Sequence, residues 1–107
     1  MYSSDHHGHT ISRTVLVVAT AANETIPQPI SIASLGPAVN VTPDELELSC
    51  PVGNTALVYV ALEGVATAVD KPIGPGQTKR FSGSGRNTLS VISSSGTQEL
   101  EITAFYR

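Results

Sequence analysis

Short runs with a period of two recur along this chain, and proline or glycine ends nearly every one. The clearest are Glu45-Leu46-Glu47-Leu48-Ser49-Cys50 and Glu99-Leu100-Glu101-Ile102-Thr103-Ala104. Successive side chains of a strand point to opposite faces, so such a run buries one row and wets the other. An amphipathic helix needs a 3.6 period instead, and the chain shows almost none. The stretch Pro72-Ile73-Gly74-Pro75-Gly76-Gln77-Thr78 lies between the alternating runs 57–62 and 89–92. Proline fixes φ and removes a backbone donor, and glycine accepts positive φ, so this stretch reads as a joint at the end or edge of a sheet.

Strands are predicted over 13–20, 30–33, 45–50, 55–62, 77–81, 88–93 and 97–106, and residues 65–69 as a strand or an extended edge. The segment Ala21-Ala22-Asn23-Glu24 reads as a turn or a short helical start. Thr42-Pro43-Asp44-Glu45 resembles a helix opening, but the alternation that follows favours a strand. Leu46, Leu48 and Cys50 are expected inward, as are Leu100, Ile102 and Ala104. The first strand is apolar on both faces, with Val15 and Val17 on one and Leu16 and Val18 on the other, so cover is expected on both sides. Strands at intervals of roughly 8–12 residues signal a sandwich or barrel. The expected fold is all-β: an antiparallel β-sandwich of about eight short strands, jelly-roll-like, with an immunoglobulin-like sandwich as second choice. Residues 1–12 are expected to form an extended N-terminal arm, flexible or partner-bound, and residues 13–107 a single domain.

Composition sharpens this picture. Only 14 % of the 107 residues are charged, against about 25 % in typical soluble domains. A surface so poor in charge fits a protein that works packed in an assembly. The net charge of −3 leaves no broad basic field for nucleic acid. No apolar run approaches the length of a membrane span, and the polar, His-rich start does not read as a signal peptide. Cys50 has no second cysteine to pair with. It reads as a small buried hydrophobe in a protein made in a reducing compartment or not in need of oxidation.

Catalytic constellations are not evident. There is no Gly-x-Ser-x-Gly elbow between strand and helix, and Gly83-Ser84-Gly85 lacks the spacing and lysine of a phosphate loop. Glu45 with Glu47, and Glu99 with Glu101, each share a strand face and read as solvent-facing charges. His6, His7 and His9 are the weak alternative for a metal site, with Asp5 as a further ligand. One short tail offers poor closure and no supporting shell, so neither enzyme nor cofactor is expected.

The stretches Asn54-Thr55-Ala56-Leu57-Val58-Tyr59-Val60-Ala61-Leu62, Gly64-Val65-Ala66-Thr67, Ile73-Gly74-Pro75-Gly76-Gln77 and Leu89-Ser90-Val91-Ile92, with Gly96-Thr97-Gln98-Glu99-Leu100-Glu101-Ile102, occur in this order. The pattern, covering about half the chain, resembles small β-domains of tailed-bacteriophage virions, most of all capsid decoration (cement) proteins. The resemblance implies a virion protein made in the host cytoplasm. It would associate with itself, as a homotrimer, and with the major capsid protein on the outside of the head. A head–tail, tail or fibre-associated component of the same fold is the alternative. A carbohydrate-binding β-sandwich is another, although Tyr2, Tyr59 and Tyr106 are poorly placed for an aromatic platform. The interface candidates are Tyr2, His6, His7 and His9 in the arm, and Lys71, Lys79, Arg80 and Arg86 around the proline–glycine joint. The acidic residues of the first half are the expected complement of those cations.

Overall fold

The computed structural model describes residues 9–27, 43–62, 64–67, 71–82 and 88–106. Eight strands form: β1 (His9–Val17), β2 (Ala22–Thr25), β3 (Glu45–Ser49), β4 (Val58–Ala61), β5 (Lys71–Ile73), β6 (Thr78–Ser82), β7 (Thr88–Ser93) and β8 (Gln98–Tyr106). They build two four-stranded sheets, ordered β1-β8-β3-β6 and β2-β7-β4-β5. Every strand pair is antiparallel. The described residues contain no helix.

Nesting of the pairs explains the order. β1 pairs with β8, β2 with β7, β3 with β6 and β4 with β5, which is one long antiparallel ribbon. Rolling the ribbon brings β3 beside β8 and β4 beside β7, and the two sheets close. This is a jelly roll. Consecutive strands β1–β2, β3–β4, β5–β6 and β7–β8 each cross from one sheet to the other. Connections in these four places therefore gather at one end of the sandwich.

The core is aliphatic. β1 contributes Val15 and Val17, β3 Leu46 and Leu48, and β8 Leu100, Ile102, Ala104 and Tyr106. Facing them are Ile26, Val58, Val60, Ile73, Leu89 and Val91, with Phe81 and Leu62 packed at the margin. The inward rows of β3 and β8 are those the alternation marks. Cys50 is buried with them. Its thiol approaches the Ile73 carbonyl at 3.7 Å, and burial pushes its pKa up.

Several elements differ from the sequence reading. β1 starts at His9 rather than residue 13, because residues 9–12 extend the ladder to Thr103–Tyr106. The Ser12 and Thr103 hydroxyls hydrogen-bond across it at 2.8 Å. Residues 22–25 form a strand, not a turn or helical start, because β7 offers them an edge. Pro72 lies inside β5, which is an edge strand and can tolerate the missing donor. The joint thus contracts to Gly74–Gln77. Leu16 is exposed although the apolar pattern of both β1 faces predicts cover. Of the expected strand or extended edge over 65–69, residues 65–67 are extended chain without strand pairing. They lie over the second sheet, where buried Ala66 donates its N–H to Ser90 Oγ at 2.9 Å. The strand expected over 30–33 and the turn over 83–87 lie outside the described residues, as do residues 1–8 of the expected arm.

Tyr106 ties β8 to the segment after β2, donating its hydroxyl to the Pro27 carbonyl. Burial pushes the phenol up to about 12, against an ordinary value of roughly 10. The neutral phenol is the form favoured by folding. Its stabilising contribution is complete below about pH 10 and is lost as pH rises through about 12. Chemical denaturation across this range should show wild-type stability falling with pH, and Tyr106→Phe falling less. At neutral pH that variant should be less stable by about 1 kcal/mol, from the lost hydrogen bond.

Candidate binding surface at the loop end

Four connections meet at the end defined by the ribbon: residues 18–21, 50–57, 74–77 and 94–97. None of these residues is charged. A dense backbone network holds them together. Ser93 donates its N–H to Val18 O, and Ser94 to Leu57 O, both at 2.9 Å. Leu57 N–H reaches Ser94 Oγ at 3.2 Å. The β3–β6 ladder runs on through Cys50 N–H to Gln77 O and Gly76 N–H to Cys50 O, each 2.9 Å.

Two amides clamp the 50–57 connection to the start of β8. The Asn54 side chain behaves like one more strand residue: its Nδ2 donates to Glu99 O at 2.8 Å and its Oδ1 accepts from Glu99 N–H at 2.9 Å. Gln98, buried, accepts the Thr55 N–H at 2.9 Å and donates to Ser95 O at 2.9 Å. A buried amide satisfied at both ends stiffens its surroundings, because an unpaired alternative costs desolvation.

The Gly74-Pro75-Gly76-Gln77 turn is closed by Gln77 N–H to Gly74 O at 3.0 Å. Proline at the second position and a glycine at φ +77° in the third follow the type II pattern. The Gln77 side chain adds a bond from Gly74 N–H to Oε1 at 2.7 Å. Val52 and Leu57 lie on this turn. A Cβ on Gly76 would come within 3.1 Å of Val52 Cγ1, and one on Gly74 within 3.5 Å of Leu57 Cδ2.

Exposed apolar side chains lie on this end. Val52 is 86 % exposed and Leu57 37 %, both against the Gly74–Gln77 turn, and Val18, in the β1–β2 connection, is 45 % exposed. Leu16, 65 % exposed, stands on β1 beside Glu99. Single apolar residues need no explanation, but Val52 and Leu57 together on a charge-free end are a feature of interaction sites. Two open depressions adjoin it. One, of about 260 Å³, is lined by Thr14, Ser49, Pro51, Glu99 and Glu101. The other, of about 270 Å³, runs past Pro51, Asn54, Thr55, Thr97 and Glu99. They share Pro51 and Glu99 and so lie side by side, the first an open groove on the outer face of β8.

The residues singled out from sequence fall elsewhere. Lys71 stands opposite Val60 on β5, and Lys79 opposite Leu48 on β6. Both therefore occupy inward-facing register positions on edge strands. Arg80, on the opposite face, bonds Glu45 at 2.9 Å and Glu47 at 3.3 Å, with its guanidinium 4.6 Å from the Phe105 ring centre. His9 begins β1 opposite Tyr106. Tyr2, His6, His7 and Arg86 lie outside the described residues. Among the described residues no three His, Cys, Asp or Glu gather closely enough to hold a metal.

Sequence reading did not single out Val52, Leu57 or Pro51. The signal that marks them is the absence of charge from alternate connections, visible only once strand order shows which turns share an end. Compared with known families and with curated proteins, the chain matches no family model and no curated protein.

Gly76→Ala tests the rigidity of this end. It forces a side chain into positive φ, at roughly 1–2 kcal/mol, and against Val52. A lower thermal midpoint is expected. Pairing it with Val52→Ala should recover part of the loss, since the contact is relieved and the backbone strain is not.

Proposed function

We propose that this protein is a structural component of a bacteriophage virion, a decoration protein that binds the outside of the head and reinforces contacts between major capsid subunits. The observation that carries the reading is the jelly-roll strand order. The resemblance implies such a roll, and the stretches that bear it supply β4, most of β7, the first half of β8 and the Gly74–Gln77 turn. Jelly rolls recur in viral capsid proteins, but one fold hosts many functions, so surface chemistry must add support. A charge-poor surface with an apolar end suits a protein that acts by burying area rather than by moving protons or electrons. The protein associates with copies of itself, as a homotrimer, when it covers the head. Each added subunit would stabilise the shell by mass action, because it binds the assembled state alone.

The described tyrosines do not favour the carbohydrate-binding alternative. Tyr106 is buried and Tyr59 is half-buried in mid-strand, so neither presents a free ring face for a sugar to stack on.

Co-sedimentation of the purified protein with undecorated heads of its phage tests the proposal. Binding should saturate at a fixed number of copies per head and raise the temperature at which heads rupture. Absence of saturable binding, with no change in rupture temperature, rejects the decoration role.

A further inference from the structure

The loop end has a centre and a rim of different chemistry. Its centre, built from Val52, Leu57 and the Gly74–Gln77 turn, is apolar and without charge. Its rim on the outer face of the first sheet carries Glu99 and Glu101, both exposed and both lining the groove beside Pro51. Cross-strand neighbours do not neutralise them. Glu99 stands beside Leu16, and Glu101 between Thr14 and Ser49. Neither forms a salt bridge among the described residues, whereas Glu24, Glu45 and Glu47 on the same molecule each do. Two like charges two residues apart on one strand face repel, and an incoming cation would relieve that.

We propose that this end is a docking surface for a protein partner, and, resting on the reading above for where that partner occurs, that it faces the capsid shell. The partner surface is apolar and uncharged where it meets Val52 and Leu57. It carries a lysine or arginine that enters the groove beside Pro51 and pairs with Glu99 and Glu101. The depression that Glu99 and Glu101 line beside Pro51 holds about 260 Å³, below the roughly 300–1,000 Å³ usual for ligand pockets, and so suits one long side chain better than a free organic ligand. The rim carboxylates would govern encounter rate and salt sensitivity, and the apolar centre residence time.

Two variants and one probe test this. Val52→Glu places a charge at the centre of the surface on a side chain that contributes little to the core. Glu99→Gln with Glu101→Gln removes the rim charge from exposed positions. Thermal melts should match wild type for both. In head binding, Val52→Glu should weaken affinity more than tenfold. The double variant should weaken it about tenfold at low salt and lose most of the salt dependence. Independently of heads, titrating the full ¹⁵N-labelled chain with N-acetyl-leucyl-arginine amide should shift the amides of Gly53, Asn54, Thr55, Gln98 and Glu99. The glutamate counterpart should leave them unmoved. Heads bound equally by wild type and both variants overturn the docking surface and leave the decoration role standing. If no head binding occurs but the arginine peptide shifts these amides selectively, the docking surface stands and the decoration role fails. Neither head binding nor selective shifts rejects both.

Discussion

β8 is the strand on which the molecule depends. It pairs with β1 along nine residues on one side and with β3 on the other. Its inner row of Leu100, Ile102, Ala104 and Tyr106 lies at the centre of the core. Its partner β1 lies at the opposite end of the described chain, so the pairing closes a very long loop. Non-local contacts of this kind must overcome closure entropy before they stabilise anything. Once β1 meets β8, the inner pairs β2–β7, β3–β6 and β4–β5 are nested and each closes a shorter loop. The sandwich is thus one folded-over ribbon whose outermost pairing makes the rest consistent.

That architecture leaves four edge strands, and their residues explain where apolar surface remains. β2 is short. β5 has only three residues, with Pro72 unable to donate and Lys71 at an inward register position. β6 places Lys79 inward. On β1, Arg13 reaches across to the Thr25 carbonyl at 2.9 Å. Short edges, prolines and inward charges all discourage strand-to-strand addition. The outer face of the first sheet is occupied by hydroxyl pairs, such as Ser49 with Thr78 at 2.9 Å, and by Arg80 held between two glutamates. Among the described residues, three of the five exposed large apolar side chains, Val18, Val52 and Leu57, lie at the end where β1–β2, β3–β4, β5–β6 and β7–β8 turn. A rigid network of Asn54, Gln98 and backbone bonds fixes that end, so a partner would meet a preformed surface and lose little entropy in ordering it.

Period-two alternation and turn chemistry are local properties, and they made the all-β class, the inner rows of β3 and β8, the burial of Cys50 and the Pro75–Gly76 turn legible in the residues alone. β2 was not legible, since Ala22-Asn23-Glu24-Thr25 has no apolar alternation and is a strand only because β7 provides an edge. The same is true of residues 9–12, and of Pro72, which is admissible in a strand only at the edge that topology assigns to β5. Arg80 shows the limit for surface chemistry. Its charge was visible, but its neutralisation by Glu45 and Glu47 comes from the β3–β6 register, between segments more than thirty residues apart. The loop end is the furthest from local reading. Its residues are scattered over four turns, each unremarkable alone, and they become one charge-free surface only because a rolled ribbon returns alternate connections to the same end.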